Sequence, residues 1–390
     1  MPIRLTPEDA FADPETFALR LADVAHRNHL TEMTVILDDT AAKLLGLPDR
    51  APRSEKSAGN HPLLTAWNSG GWSVKKIEPW FSLYAPKRPA IHFGVGPWLG
   101  KNNNMLHTDD YQQLADRLAT FHELTGVAFH GKISGIPGIS LMKDYWPGVP
   151  KGRNPKEFPE PFWRPKWDGC TPARSDCEKS FASRKPDSFA PGIRLGFDAS
   201  RQYLAAAHNT VLSPGALRHT RKTAWRKGMH GYWLITSPVW NIDGLPNPAN
   251  YPTGTKCWVA APTMELIAEL ADAGYTVTPE IHDSWTNDQF TRELLRPWVA
   301  AIESAYQAAL VLPKDSAVIT NAVKGMYKTG VGLLHRDKSR VWRPDWHHAI
   351  IAKARCNMFR KMFAAWLYDG RVPIEIHYDA VWYYAQTLDD

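Results

Sequence analysis

Apolar positions along the chain switch between a helical and a strand period, and the switches mark out its elements. Phe17, Leu21 and Val24 fall at i, i+4 and i+7 behind Pro14-Glu15, which predicts a first helix closed by Asn28 and His29. Met33–Leu37 (MTVIL) is an apolar run of strand length, ending in Asp38-Asp39 and followed by a helical Thr40–Leu47. Residues 48–61 read as polar loop. One strand is predicted within Trp72–Tyr84 and another at Ala90–Val95, with Ala85-Pro86-Lys87-Arg88 as the turn between them. Helical spacing returns at Asp109–Leu124 (Tyr111, Leu114, Leu118, Phe121) and stops at Gly126. Strands backed by helices predict a small α/β layer domain over residues 1–144.

Residues 145–192 keep neither period. Prolines from Pro147 to Pro191 interrupt any regular element, and basic residues from Lys151 to Lys185 alternate with Trp146, Trp163 and Trp167. Such a segment suits a surface that tracks a nucleic-acid strand. It equally suits a solvated linker. On either reading it separates 1–144 from 193–390.

Regular patterning resumes at Ile193, Leu195 and Phe197, an apolar strand that runs into Asp198 and then an alanine-rich helical start. Gly231–Ser237, Lys256–Ala260 and Tyr275–Ile281 read as strands, the first two on either side of a proline-rich turn. Pro262–Leu270, Phe290–Leu312 and Val318–Leu334 read as helices. Arg343-Pro344-Asp345 starts a last helix, Trp346–Leu367. Its buried stripe is Ile350, Ile351, Ala354, Met358, Met362 and Ala365, and Lys353, Arg355, Arg360 and Lys361 cover the rest. His347 and His348 are adjacent and face different ways, so they do not read as a metal pair.

Composition narrows the class. A chain of 390 residues is long for one compact domain, and 44% hydrophobic content is ample for a core, which excludes a disordered tail protein. The balance of 46 basic and 40 acidic residues leaves +6, which permits a polyanionic partner without demanding one. Cys170, Cys177, Cys257 and Cys356 lack zinc-site spacing and read as reduced structural thiols. No apolar leader opens the chain and no run is long enough to span a membrane. The expectation is a soluble, cytoplasmic protein with no membrane partner. The 17 tryptophans are expected to fill cores more often than to stack on bases.

The candidate chemistry rests on two acids. An acid at the end of a buried strand costs several kcal/mol unless it is paired or metal-bound. Asp198 stands at such a position, and so does Asp379 in VPIEIHYDAVWYY. On adjacent strands they would suit a pair of divalent ions about 3.5–4 Å apart, the clamp for an in-line phosphoryl displacement. Arg218, Arg221, Lys222, Arg226 and Lys227, with His219 and Trp225 among them, form a basic cluster that reads as a backbone-binding surface or as a solvated face. Lys324 and Lys328, one turn apart, could present two ammonium groups to a triphosphate, though such pairs are routine on surface helices. Asp38, Asp39, Asp109 and Asp110 read as caps and turn residues, and no D-x-E pair supports a nuclease there.

Three stretches, in order, resemble the palm and fingers motifs of family B DNA polymerases, especially the protein-primed branch. Asp198-Ala-Ser-Arg-Gln-Tyr203 resembles the first motif, D-x-x-S-L-Y-P, in its Asp and Tyr. Lys324-x7-Gly332 resembles K-x3-N-S-x-Y-G in its Lys and final Gly. Asp379-Ala380-Val381 resembles the end of Y-x-D-T-D-S-V, with His377 in place of the first acid. A closer likeness, carried by DASRQYLAAA, AVKGMYKTGVG and RPDWHHAIIAKARCNMFRK, is to the telomere-associated proteins of linear actinobacterial replicons.

The resemblance implies an α+β fold: a polymerase-type palm with helical fingers, preceded by an exonuclease-like, RNase H-like α/β domain without its catalytic acids. It implies catalytic, Mg²⁺- or Mn²⁺-binding roles for Asp198 and Asp379, and nucleotide-binding roles for Tyr203, Lys324 and Lys328. The chain ends eleven residues after Asp379, so no thumb domain is expected. Two readings follow. One is nucleotidyl transfer from deoxynucleotides at single-stranded or recessed DNA ends. The other is a non-catalytic, nucleoid-associated scaffold at such ends that recruits a terminal protein. A nuclease in the first domain is a third, tested at Asp38 and Asp39.

Overall fold

The computed structural model describes residues 14–29, 32–37, 39–44, 47, 62–77, 80–95, 105, 108, 110–129, 135–145, 193–336, 341–377 and 380–385. The chain divides into two compact units, Met1–Gly138 with Ala305–Met326, and Ile139–Ser304 with Tyr327–Asp390. A simple division at 145–192 therefore misses residues 305–326, which belong with the first unit. The Arg117 guanidinium ties that segment in by donating to Asp315 at 2.8 Å. That hydrogen bond is the main reason the Asp315 carboxyl lies below its ordinary range.

In the first unit, α1 (Pro14–Arg27) buries Phe17 and Leu21, as its apolar spacing predicts. A four-stranded sheet has the order β1-β4-β3-β2, from β1 (Glu32–Leu37), β2 (Ser73–Ile77), β3 (Trp80–Tyr84) and β4 (Ala90–Val95). β1 runs parallel to β4 and the other pairs are antiparallel. Trp72–Tyr84 thus holds two strands, not one. Short helices α2 (Asp39–Leu44) and α3 (Pro62–Ser69) join them, the second unforeseen, and Trp67 of α3 stacks on Phe93 of β4 at 5.4 Å in the core. In α4 (Tyr111–Thr125) the Asp110 carboxylate accepts from the Gln112 and Gln113 amides, while Gly126 closes the helix at φ 70°. Asp110 is a cap. Asp38 and Asp109 lie outside the described residues, as does the side chain of Asp39. The helix α5 (Gly135–Tyr145), not predicted from the sequence, starts in the first unit and continues into the second from Ile139.

The second unit carries two sheets. One is three-stranded, β10-β11-β5, from β5 (Ile193–Asp198), β10 (Glu375–His377) and β11 (Ala380–Ala385). The other is four-stranded, β6-β9-β7-β8, from β6 (Arg218–His219), β7 (His230–Thr236), β8 (Lys256–Ala260) and β9 (Ile281–Asn287). Every strand pair in both is antiparallel. Its helices are α6 (Gln202–Asn209), α7 (Ala261–Asp272) and α10 (Pro344–Asp369). Between them come α8 (Arg296–Leu310) and α9 (Ser316–His335), whose residues are shared with the first unit. No described helix is long and apolar enough to cross a membrane.

Two expected elements shift. The strand expected at Tyr275–Ile281 lies at Ile281–Asn287, because Pro279 lacks an amide for the ladder and Tyr275 packs edge-on against Phe363 at 4.9 Å. The helix expected from Phe290 begins at Arg296, with Pro297 at its start and Phe290 in a left-handed turn, φ 54°. The stripe of α10 packs as expected at Ile350, Ala354, Met358 and Met362, but its first half is buried all round and Arg355 is inside, donating to Thr263. Cys257 and Cys356 are buried and in no disulfide among the described residues; Cys170 and Cys177 lie outside the described residues. Trp233, Trp298 and Trp346 are core residues.

The start of α10 is a buried polar network. Arg343 donates to the Ser213 and Pro214 carbonyls at 2.8 and 3.0 Å and to both Asp345 oxygens, and lies 4.1 Å from the Trp346 ring centroid. Burial alone would raise the Asp345 carboxyl, but the Arg343 charge and hydrogen bonds, with His230 at 3.0 Å, hold it far below the carboxylate range. Next to it, the rings of His335, His347 and His348 lie 5.1–5.7 Å apart, and His348 Nδ1 bonds the Tyr232 hydroxyl at 2.6 Å.

Burial, then His347 and His335, depress His348 well below its ordinary 6.5 against the opposing pull of Asp345. Below that ordinary value the unfolded chain takes up a proton that the folded chain refuses. Stability is therefore full above pH 6.5 and declines as pH falls toward the folded value. Urea midpoints are expected to drop between pH 8 and pH 5.5, and to drop less in His348→Gln. Asp345 stays ionised across that window, so it does not contribute to the slope.

Gly231 sets the close approach of β7 to β9. Its φ is 153°, and an added Cβ would stand 2.2 Å from the Trp285 carbonyl oxygen. Gly231→Ala is expected to cost about 1–3 kcal/mol by urea denaturation.

Candidate functional site

The three-stranded sheet brings together two segments far apart in the chain. β11 runs antiparallel to β5 with Ala380 opposite Asp198, Trp382 opposite Gly196 and Tyr384 opposite Arg194. On the other side of β11, His377 stands opposite Ala380 and Glu375 opposite Trp382. Directly opposed residues share a face, so Asp198, Gly196, Ala380 and Trp382 line one side of the sheet. The reverse side, through Val381 and Ile376, packs with Met358, Phe359 and Met362 of α10.

Asp198 is exposed, and so are Gly196 and, at 57%, Phe197. This overturns the premise of a buried strand ending in a costly acid. β5 is an edge strand among the described residues, so its apolar residues are only partly covered and the Asp198 carboxylate keeps its water. A cleft of about 610 Å³ is lined by Asp198 together with Phe197, Met358, Lys361, Tyr368 and Tyr383. The Trp382 indole lies across Gly196, where an added Cβ would meet Nε1 at 2.5 Å. Only glycine leaves the ring that position.

Asp198 has the donor type that a hard cation takes. It is an exposed carboxylate, the oxygen ligand such an ion takes, and it stands opposite Ala380. The second expected ligand, Asp379, lies outside the described residues. Among the described residues no group of three or more His, Cys, Asp or Glu is placed to hold a metal ion.

Beyond Asp198 the chain turns through Arg201, at φ 56° and ion-paired with Glu303, into α6. Buried Gln202 donates to the Ala354 carbonyl at 2.7 Å and pins the helix to α10. Tyr203 follows, half-buried. Lys324 and Lys328 lie one turn apart on α9. Lys324 is half-buried with its amine 5.7 Å from the Tyr306 ring centroid, and Lys328 is exposed. Lys324 belongs to the first unit; Asp198, Tyr203 and Lys328 belong to the second.

Arg218, Arg221, Lys222, Arg226 and Lys227 are all exposed, on β6 and the loop after it. Of these, Arg226 faces Asp288 at 3.6 Å. The residues that order this surface escaped the sequence reading. Asp283 is part of β9, and it bonds His219 at 2.7 Å. Trp285, directly opposite His219, stacks with its ring at 4.8 Å. The period-two spacing of Asp283 and Trp285 was the available signal.

A domain of unknown function (DUF8841) matches residues 15–127. No curated protein matches the chain. Among solved structures, phi29 DNA polymerase complexed with primer-template DNA and incoming nucleotide substrates aligns over 80% of this chain at 12% identity and a TM-score of 0.50. The fold resembles that of phi29 DNA polymerase. The chain spans 65% of that polymerase's length. A post-translocation binary complex of the same polymerase with primer-template DNA aligns at 12% identity with a TM-score of 0.47, over 80% of this chain and 64% of that one. At this identity the likeness speaks for the polymerase-like fold, a mixed α/β architecture with antiparallel sheets, and not for chemistry.

Proposed function

We propose that the protein is a DNA-binding, polymerase-like nucleotidyltransferase that acts at single-stranded or recessed DNA ends. The observation that carries this reading is the pairing of β5 with β11, which sets Asp198 in the open beside the strand that Asp379 precedes. Asp198 and Asp379 would hold Mg²⁺ or Mn²⁺, which supplies charge neutralisation when bound. Tyr203 follows Asp198 by one turn and would pack under the incoming sugar. Lys324 and Lys328 would contact the triphosphate, and Arg218, Arg221, Lys222, Arg226 and Lys227 the DNA backbone. Residues 1–144 would form the exonuclease-like domain, 145–192 the basic linker and 193–390 the palm and fingers, of which 305–326 group with the first compact unit.

The second reading, a non-catalytic DNA-end scaffold that recruits a terminal protein, as telomere-associated proteins do, is favoured by one observation. The basic loop is ordered by its own contacts with β9, independently of Asp198. The deciding experiment incubates the full chain with Mg²⁺, labelled deoxynucleotides and a recessed DNA end. Extension by the wild type supports transfer. Tight, salt-dependent binding with no extension supports the scaffold.

A further inference from the structure

The basic loop after β6 is built more rigidly than its charge requires. The Thr220 hydroxyl lies 3.0 and 3.1 Å from those of Ser284 and Thr286, and the Ser284 hydroxyl donates to the Arg221 carbonyl at 2.6 Å. The Thr223 amide donates to the Ser284 oxygen, and the buried Trp233 indole donates to the Thr223 carbonyl. These bonds hold Arg221 at φ 48°, a left-handed conformation that a non-glycine residue keeps only when its surroundings fix it. Among the described residues Arg218, Arg221, Lys222 and Lys227 carry no ion pair, so their charges face solvent.

Beside these charges lies an aromatic platform. The His219 ring sits 4.8 Å from Trp285 at an interplanar angle of 20°, its edge held by Asp283 at 2.7 Å. With 42% of its side chain exposed, and on an edge strand among the described residues, the ring is open to solvent beside the stack. A fixed, open ring among unpaired cations lacks a purpose in a merely solvated face, where cations need no anchored backbone.

We propose that β6 and residues 220–228 form a single-strand nucleic-acid platform, on which one base stacks on the His219 imidazole while Arg218, Arg221 and Lys222 take flanking phosphates. The proposal rests on the DNA-binding part of the reading above and adds a choice of strand state. A base in an unpaired strand has a free face to offer the ring, whereas a base inside a duplex is covered on both faces by its neighbours. The platform therefore selects unpaired strands, and the cations alone would not.

The test measures fluorescence anisotropy of the full chain with a labelled oligodeoxythymidylate and with a hairpin duplex, each across a salt series. His219→Ala is expected to weaken single-strand binding about tenfold, the loss of one stacked base, and to leave duplex binding within about twofold. His219→Tyr, which keeps a stacking ring, is expected to restore single-strand affinity. Arg218→Gln is expected to weaken both and to reduce the salt slope by about one. If His219→Ala weakens both forms alike, or neither, while the wild type binds, the platform is wrong and the DNA-binding reading stands. If the wild type binds neither form, both fall together. Unchanged thermal melting of His219→Ala separates lost binding from lost folding.

Discussion

Arg343→Met is expected to cost about 3–5 kcal/mol, because it leaves the buried Asp345 carboxylate with the His230 ring as its one remaining side-chain partner among the described residues. Arg343 and Asp345 are each 1% exposed, so neither has water to fall back on. The guanidinium also satisfies the carbonyls of Ser213 and Pro214, which join α6 to β6, so one side chain ties that segment to the start of α10. Arg343→Lys keeps the charge but not the planar fork, and is expected to lie between wild type and Arg343→Met. The double variant Arg343→Met, Asp345→Leu is expected to be more stable than Arg343→Met alone, since the buried charge is gone. Urea unfolding of the four proteins measures the series. A loss below about 1 kcal/mol for Arg343→Met would mean that water reaches Asp345.

The same network shows what the sequence could and could not disclose. Arg343-Pro344-Asp345 was legible as a helix start, because Pro at the first turn and an acid near the N-terminus are local signals. Its burial was not, because the partners of Arg343 are carbonyls about 130 positions earlier in the chain. Helices with strong apolar spacing, such as α1 and α4, appear within a few residues of their predicted spans. The strand β9 was displaced by one element because Tyr275 and Val277 mimic an alternating strand before Pro279. Tyr275 instead closes the aromatic cluster of Phe363 and Trp366.

At the candidate site the strand that carries Asp198 was legible and its environment was not. Alternating Ile193, Leu195 and Phe197 identified β5 as a strand, but apolar spacing alone does not say that β5 lies at the edge of a three-stranded sheet. The energetic argument for a metal therefore changes. An exposed carboxylate needs no compensation, so Asp198 is not retained to relieve a buried charge. What commends it is access: a charged group in the open on a rigid sheet is where a diffusing substrate can reach it.

That access makes Asp198→Asn the sharpest test of the chemistry. The substitution keeps shape and hydrogen-bonding reach while removing the charge that would hold a divalent cation. Extension of a recessed end is expected to fall by about 10³-fold or more, in line with the loss of a principal electrostatic stabiliser. Fold stability is expected to change by under about 0.5 kcal/mol, because an exposed edge residue has little packing to lose. DNA affinity is expected to stay within about twofold, since the phosphate contacts assigned to Arg218–Lys227 are made elsewhere on the second unit. Asp379→Asn is expected to reproduce the loss of extension. Comparable extension by wild type and Asp198→Asn would remove Asp198 from the reaction. Absent extension in both, with salt-dependent binding intact, would leave the end-binding scaffold as the function.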